Sequence, residues 1–230
     1  MNTRTALYWE FASSDVSRSG AFPPSRLELS YSQLPPHSPF RSHDYRKIWR
    51  SIEAGYRAQP TDCPALRFTG RYGWSVSSPG NCTIRRSTHY RKRRIVKEGF
   101  AAYGDIEIEG DSWPHGDSGL VASWIMNSGF VKIHTGINIL FPQTVCVYQG
   151  PLPNVDCSPF DRFEIWQGIE CFDHSRSIHY DGSILGKAEL NFVGRLRSGV
   201  KEVFVKRGEA IGWFFPVTSL TSLNLVPVAE

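Results

Sequence analysis

The sequence predicts a mainly β fold: an antiparallel sandwich, jelly roll or β-clip-like domain with one amphipathic helix and a Pro/Ser-rich N-terminal segment. Three observations carry that expectation. From about residue 65 the chain runs in short stretches rich in β-branched and aromatic residues, broken by Gly, Pro, Asn and Asp. Only residues 44–56 carry a helical period. Aromatic residues reach 13%, with 7 Trp, and rings of that size fill β cores and line pockets.

The elements follow in order. Residues 1–42 hold five of the 15 prolines (Pro23, Pro24, Pro35, Pro36, Pro39) and many serines, a composition that forms little regular structure. Tyr45, Ile48, Trp49, Ile52 and Tyr56 then share one helix face, with Ser42 as cap, Asp44 in the first turn and Pro60 beyond the end. Residues 43–230 read as one β domain. Strands are expected near Ala65–Thr69, Tyr72–Ser77, Asp105–Glu109, Leu120–Met126, Phe130–His134, Ile137–Phe141 and Thr144–Gln149. Others are expected near Phe163–Phe172, Ala188–Val193, Glu202–Lys206 and Ala210–Val217, the last two as a hairpin turning at Arg207-Gly208.

Charge is unevenly placed. Arg85, Arg86, Arg91, Lys92, Arg93, Arg94 and Lys97 form a basic segment without a single acid, against a net charge of +4 for the whole chain. The rest of the molecule is therefore mildly acidic. No apolar run suits a signal peptide or a membrane span, and five cysteines without a C-x-x-C pair read as free thiols in a reducing cytoplasm.

Several segments occur in a familiar order: Tyr72-Gly-Trp-Ser-Val-Ser-Ser-Pro79, Gly129-Phe-Val-Lys-Ile-His-Thr-Gly136, Gly150-Pro-Leu-Pro-Asn154, Gly168-Ile-Glu170, Leu190-Asn-Phe192 and Lys206-Arg-Gly-Glu-Ala-Ile-Gly-Trp-Phe-Phe-Pro216. Together, over roughly residues 63–218, they resemble an uncharacterised bacterial β-domain family with a Gly-Trp near a Ser-Pro, a Gly-Pro-x-Asn turn and a closing Gly-Glu hairpin. The resemblance implies a shared β domain and carries no known reaction. A weaker likeness, through the Thr-Gly strand and the final Gly-Glu-x-Ile hairpin, is to the β-clip of deoxyuridine triphosphatase-type enzymes.

Four constellations are candidates for chemistry. His115 and Asp117, two apart, point to one face of a strand. With His174 or His179 they would complete a triad for Fe(II) or another divalent metal, although Trp113-Pro-His-Gly-Asp-Ser-Gly119 also reads as a surface turn. Glu164, Glu170, Asp173, His174, His179 and Asp181 suit acid/base catalysis, with Glu164 and Glu170 on one face if their strand is unbroken; the same residues suit a solvated sheet edge. Cys171 precedes His174 by three positions, a possible Cys–His pair, whereas Cys146 reads as core. The basic segment, interleaved with His89 and Tyr90, would neutralise phosphates of nucleic acid or of a coenzyme A-like carrier, or would simply be an exposed hairpin.

The leading expectation is a small-molecule enzyme of bacterial, specialised metabolism. Its pocket would be lined by Trp74, Trp113, Trp124, Trp166 and His134, with Glu164, Glu170, His174 and His179 as catalytic groups. His115, Asp117 and His174 would be the metal ligands. The alternative is a non-catalytic binding or assembly module that holds an anionic partner through residues 85–97.

Overall fold

A computed structural model describes residues 6–18, 20–26, 73–114, 118–125, 129–151, 162–217 and 224–227. Two thirds of these are in strands, with one short helix, so the chain is mainly β and its sheets are antiparallel. The expected helix over 44–56 and the expected strand near Ala65–Thr69 lie outside the described residues.

The largest sheet has seven strands. Its path runs from β11 (Ser177–Tyr180) to β12 (Ser183–Leu196), β7 (Phe130–Pro142), β1 (Ala6–Phe11) and β15 (Asn224–Pro227). β6 (Ala122–Ile125) shares one edge of β7 with β1, and β9 (Phe163–Ile165) shares the outer edge of β12 with β11. A five-stranded sheet orders β10 (Gly168–Glu170), β8 (Cys146–Gly150), β14 (Ala210–Val217), β3 (Trp74–Ser77) and β2 (Ser25–Arg26). A third sheet joins β13 (Glu202–Val205), β4 (Cys82–Lys97) and β5 (Phe100–Gly110). Among the described residues every strand pairing is antiparallel except β1 with β15.

The three sheets enclose one hydrophobic core, to which each contributes: Leu7, Ile139 and Phe192 from the first, Val76, Val147 and Phe214 from the second, Ile84, Ile108 and Val203 from the third. Burying a side chain of this kind contributes about 1.5–3 kcal/mol. The alternation that predicted the strand at 105–109 is visible in three dimensions, with Ile106 and Ile108 buried and Glu107 and Glu109 turned outward. The five-residue helix α1 (Ser14–Arg18) starts where Ser13 Oγ accepts from the Val16 N–H at 3.3 Å, and buried Val16 packs over Gly136.

Four expectations differ from the structure. Residues 1–42 contain β1, an interior strand, because Leu7 alternates into the core between strands on either side. The two strands expected within 130–141 are one, β7, which absorbs two extra residues against β12 through a bulge at Thr135-Gly136. Gly136 has φ +70, a conformation that favours glycine, and Thr135 Oγ1 donates to the Leu190 carbonyl at 2.5 Å. The 202–217 hairpin does not pair with itself. Val203 and Val205 dock on β4, the chain turns at Gly208 (φ +78), the Gly208 N–H binds the Ser78 carbonyl, and β14 enters the other sheet. The strand expected over 163–172 is broken after Ile165, where the Trp166 N–H takes the Val193 carbonyl and the chain crosses from the first sheet to the second.

No helix among the described residues is long and apolar enough to cross a membrane.

Candidate functional site

The basic segment is one arm of a largely exposed hairpin, as the plainer of its two expected readings has it. It is the strand β4, 16 residues long against the 11 of its partner β5. The surplus is taken up by register shifts between Arg86 and Arg91 and again between Arg91 and Ile95. Bulges of this kind push the unpaired residues outward. One knot pins them. Glu107 Oε1 accepts from Ser87 Oγ at 2.9 Å and from Arg91 Nη1 at 2.6 Å. Burial opposes ionisation of Glu107, but the hydrogen bonds from Ser87 and Arg91 and the charges of Arg91 and Arg85 outweigh it, holding its carboxyl below the usual range.

Those partners divide the seven cations into two groups. Arg85 meets Glu109 and Glu202, Arg86 meets Asp105 and Arg91 meets Glu107. Among the described residues no acid lies within ion-pair distance of Lys92, Arg93, Arg94 or Lys97, and all four side chains are exposed. The Arg94 guanidinium sits 5.4 Å from the ring centre of Trp124. Trp124 stacks on Tyr103 at 6.1 Å, and Phe130 meets Trp166 edge-on at 4.2 Å with Arg195 over its other side at 5.7 Å.

The residues expected to line or catalyse in one pocket are dispersed. Trp74 is buried and stacks on Phe214; Trp113 is buried beside Gly136. His134 is buried and shares a 2.8 Å hydrogen bond with Ser123 Oγ. Trp124 lies under Arg94, whereas Trp166 is 53% exposed. Glu164, on β9, is ion-paired to Arg195 at 2.9 Å. Glu170, on β10 in the other sheet, accepts from Gln149 Nε2 at 3.3 Å, so the break after Ile165 separates two carboxylates that an unbroken strand would place on one face. His174 is exposed in a single 3-10 turn, edge-on to Phe172, and His179 is exposed on β11. The turn is capped by Asp173, whose carboxyl the backbone and side chain of Ser175 hold below its ordinary range. His115 and Asp117 lie outside the described residues. Among the described residues no three His, Cys, Asp or Glu side chains gather where they could hold a metal ion.

A polar cleft of about 790 Å³ that residue spacing did not reveal lies where β7, β12, β8, β10 and the 3-10 turn meet. Asn138, Gln149, Glu170, Lys187, Glu189 and Asn191 line it. Glu10 braces the wall, accepting from Lys187 Nζ at 2.6 Å and Asn138 Nδ2 at 3.2 Å. Gln149 Oε1 and Asn191 Oδ1 are buried and accept no hydrogen bond among the described residues. Asn138 was the visible clue, an amide inside the apolar run Ile137-Asn-Ile-Leu140.

The three described cysteines fall into two environments. Cys82 is in the core, and burial, followed by the charges of Asp111 and Glu209, pushes its thiol up to about 12, so it stays protonated. Cys146 and Cys171 lie one step beyond the Val147–Glu170 pair, with sulfurs 3.1 Å apart. Compared with known proteins, this chain matches no family model, no curated protein and no solved structure.

Proposed function

We propose that this chain is a binding module that holds an anionic partner through residues 85–97. The observation that carries the reading is the bulged half of β4, which projects Lys92, Arg93, Arg94 and Lys97 while the acids of β5 are engaged by Arg85, Arg86 and Arg91. A charge already paired at the surface attracts a further anion weakly, whereas unpaired ones release the counterions of a polyanion on contact. Heparin and nucleic acid should therefore bind at low salt, with affinity falling steeply as salt rises. Replacing all four residues with Gln should flatten the slope of log affinity against log salt by about 2.8–3.6, since each phosphate left without its cation removes roughly 0.7–0.9. Absence of binding to every polyanion at low salt, or an unchanged slope in the variant, would remove this reading.

The polar lining of the cleft favours a second reading, a small-molecule enzyme with Glu170 as an acid/base group. Amide and carboxylate side chains at its wall, Asn138, Asn191, Glu170 and Glu189, suit hydroxyl or ammonium groups on the ligand. A thermal-shift screen of sugars, polyols and amino acids should give a stabilising ligand whose effect Asn191→Leu abolishes. Shifts that persist in that variant would place the ligand elsewhere, and a screen without shifts would leave the cleft structural.

A further inference from the structure

Beside the basic strand, Tyr90, Tyr103, Trp124 and Phe130 line one cavity of about 190 Å³, bounded on its polar side by Asp105. Four strands, β4, β5, β6 and β7, supply one ring each, so no contiguous motif announces the cavity. Its volume is below that of drug-sized pockets and suits a single planar ring system. Tyr90 stands on the first bulge of β4, 72% exposed, over the backbone of Gly104, whose φ of +60 turns β5 beneath it. Trp166, edge-on to Phe130, adds a second exposed ring next to the cavity.

Two cations lie over these rings. Arg94 lies over Trp124 and Arg195 over Phe130, and Lys92 and Arg93 adjoin them on the strand. The acids at the rim, Asp105 and Glu164, are held by Arg86 and Arg195. Tyr90 and Trp166 present exposed aromatic faces within a positive field, which unpaired bases use for stacking, while the bases of a duplex already stack on one another. A sulfated polysaccharide would need only the charges and would leave the rings without a role. We infer that this surface binds single-stranded nucleic acid, one unpaired base entering the aromatic cavity while the cations of the bulged strand take the flanking phosphates. The inference rests on the reading of residues 85–97 as an anion-binding segment and names the class of anion.

Fluorescence anisotropy of the full chain tests it, with labelled single-stranded DNA and RNA of about 12 nucleotides, within the span such sites cover, and with the corresponding duplexes and heparin as competitors. Single strands should bind more tightly than duplexes. Tyr90→Ala and Trp166→Ala should each weaken single-strand binding roughly five- to a hundredfold, the loss of one stacked base. Heparin binding should be unaffected, and Tyr90→Phe should retain affinity. Tyr90 is largely exposed, so the unfolding midpoint of its variant should match the parent's, whereas Trp166→Ala also loses the edge contact with Phe130 and should unfold slightly earlier while remaining folded at the assay temperature. Equal binding of duplex and single strand, or unchanged affinity in both alanine variants, would overturn the inference and leave the anion-binding reading standing. Failure to bind any polyanion would overturn both.

Discussion

Adding one methyl group at residue 212 is expected to destabilise the fold by about 1–3 kcal/mol, the range that overpacked cores show. A Cβ on Gly212 would lie 2.1 Å from Phe192 Cε1 and 2.5 Å from two further atoms of the same ring. Phe192 is fully buried on β12 and Gly212 is on β14, so this ring against bare backbone is where the two larger sheets touch. The ring has nowhere to retreat in an interior packed to crystal density. Phe192→Ala should cost more, about 3–5 kcal/mol, through lost burial and the cavity left behind. The two changes compensate in shape. In the double variant the new methyl enters the vacated space, and the summed effects of the single variants should exceed the measured total by about 0.5–3 kcal/mol. Denaturant unfolding of the four proteins gives that coupling, and strictly additive values would show that the ring and the glycine do not join the sheets as described.

Oxidised glutathione is expected to cross-link Cys146 to Cys171 and to raise the unfolding free energy by about 3–4 kcal/mol, the loop-closure contribution for a separation of 25 residues. Directly opposed residues on antiparallel strands have Cα separations within the range disulfides use. Cys171 is exposed and within reach of a small disulfide. Its thiolate attacks glutathione disulfide, forming a mixed disulfide and releasing one glutathione thiolate. The Cys146 thiolate then displaces the second. The protein loses two electrons and two protons, and glutathione disulfide gains both. Contact with Cys171, then burial, raises the Cys146 thiol above its ordinary value, so the second step should accelerate with rising pH. Mass spectrometry should show the loss of two hydrogens, and Cys171→Ser should abolish both this loss and the gain in stability. A stable mixed disulfide at Cys171 that never resolves would contradict the opposed geometry.

Local pattern made much of the fold legible. The alternation of Asp105–Glu109 and the β-branched and aromatic run of Ala210–Val217 each specify a strand by themselves, because one face must be buried. β4 escapes the same reading. Past Ile84 its side chains are mostly polar, and its acidic partners Glu107 and Glu109 sit on a neighbouring strand that the charge run does not indicate. The 202–217 segment has a hairpin's turn chemistry, yet the core takes Val203 and Phe214 on different sheets, a competition decided by packing. The aromatic cavity and the polar cleft were illegible for a common reason: each gathers one or a few side chains from each of four or more strands. The tryptophans named from composition divide into interior rings, such as Trp74 and Trp113, and surface rings, such as Trp166, a distinction that depends on which way each strand faces.

The parallel register of β1 with β15, which sets Ala6 beside Asn224, bears on how the molecule is made. β1 leaves the ribosome ahead of β15 and cannot acquire this neighbour until residues 224–227 have emerged. At typical synthesis rates of 5–20 residues per second that interval is roughly ten to forty seconds. Until then the strand holds at most its β7 partner, and its other side is an open row of backbone donors and acceptors beside an apolar face. Closing so long a loop is entropically costly, and topologies dominated by distant pairings fold slowly. The nascent chain therefore passes through a prolonged state in which a second nascent copy could occupy the place of Asn224–Pro227, and its yield should depend on how well the cell shields that one edge.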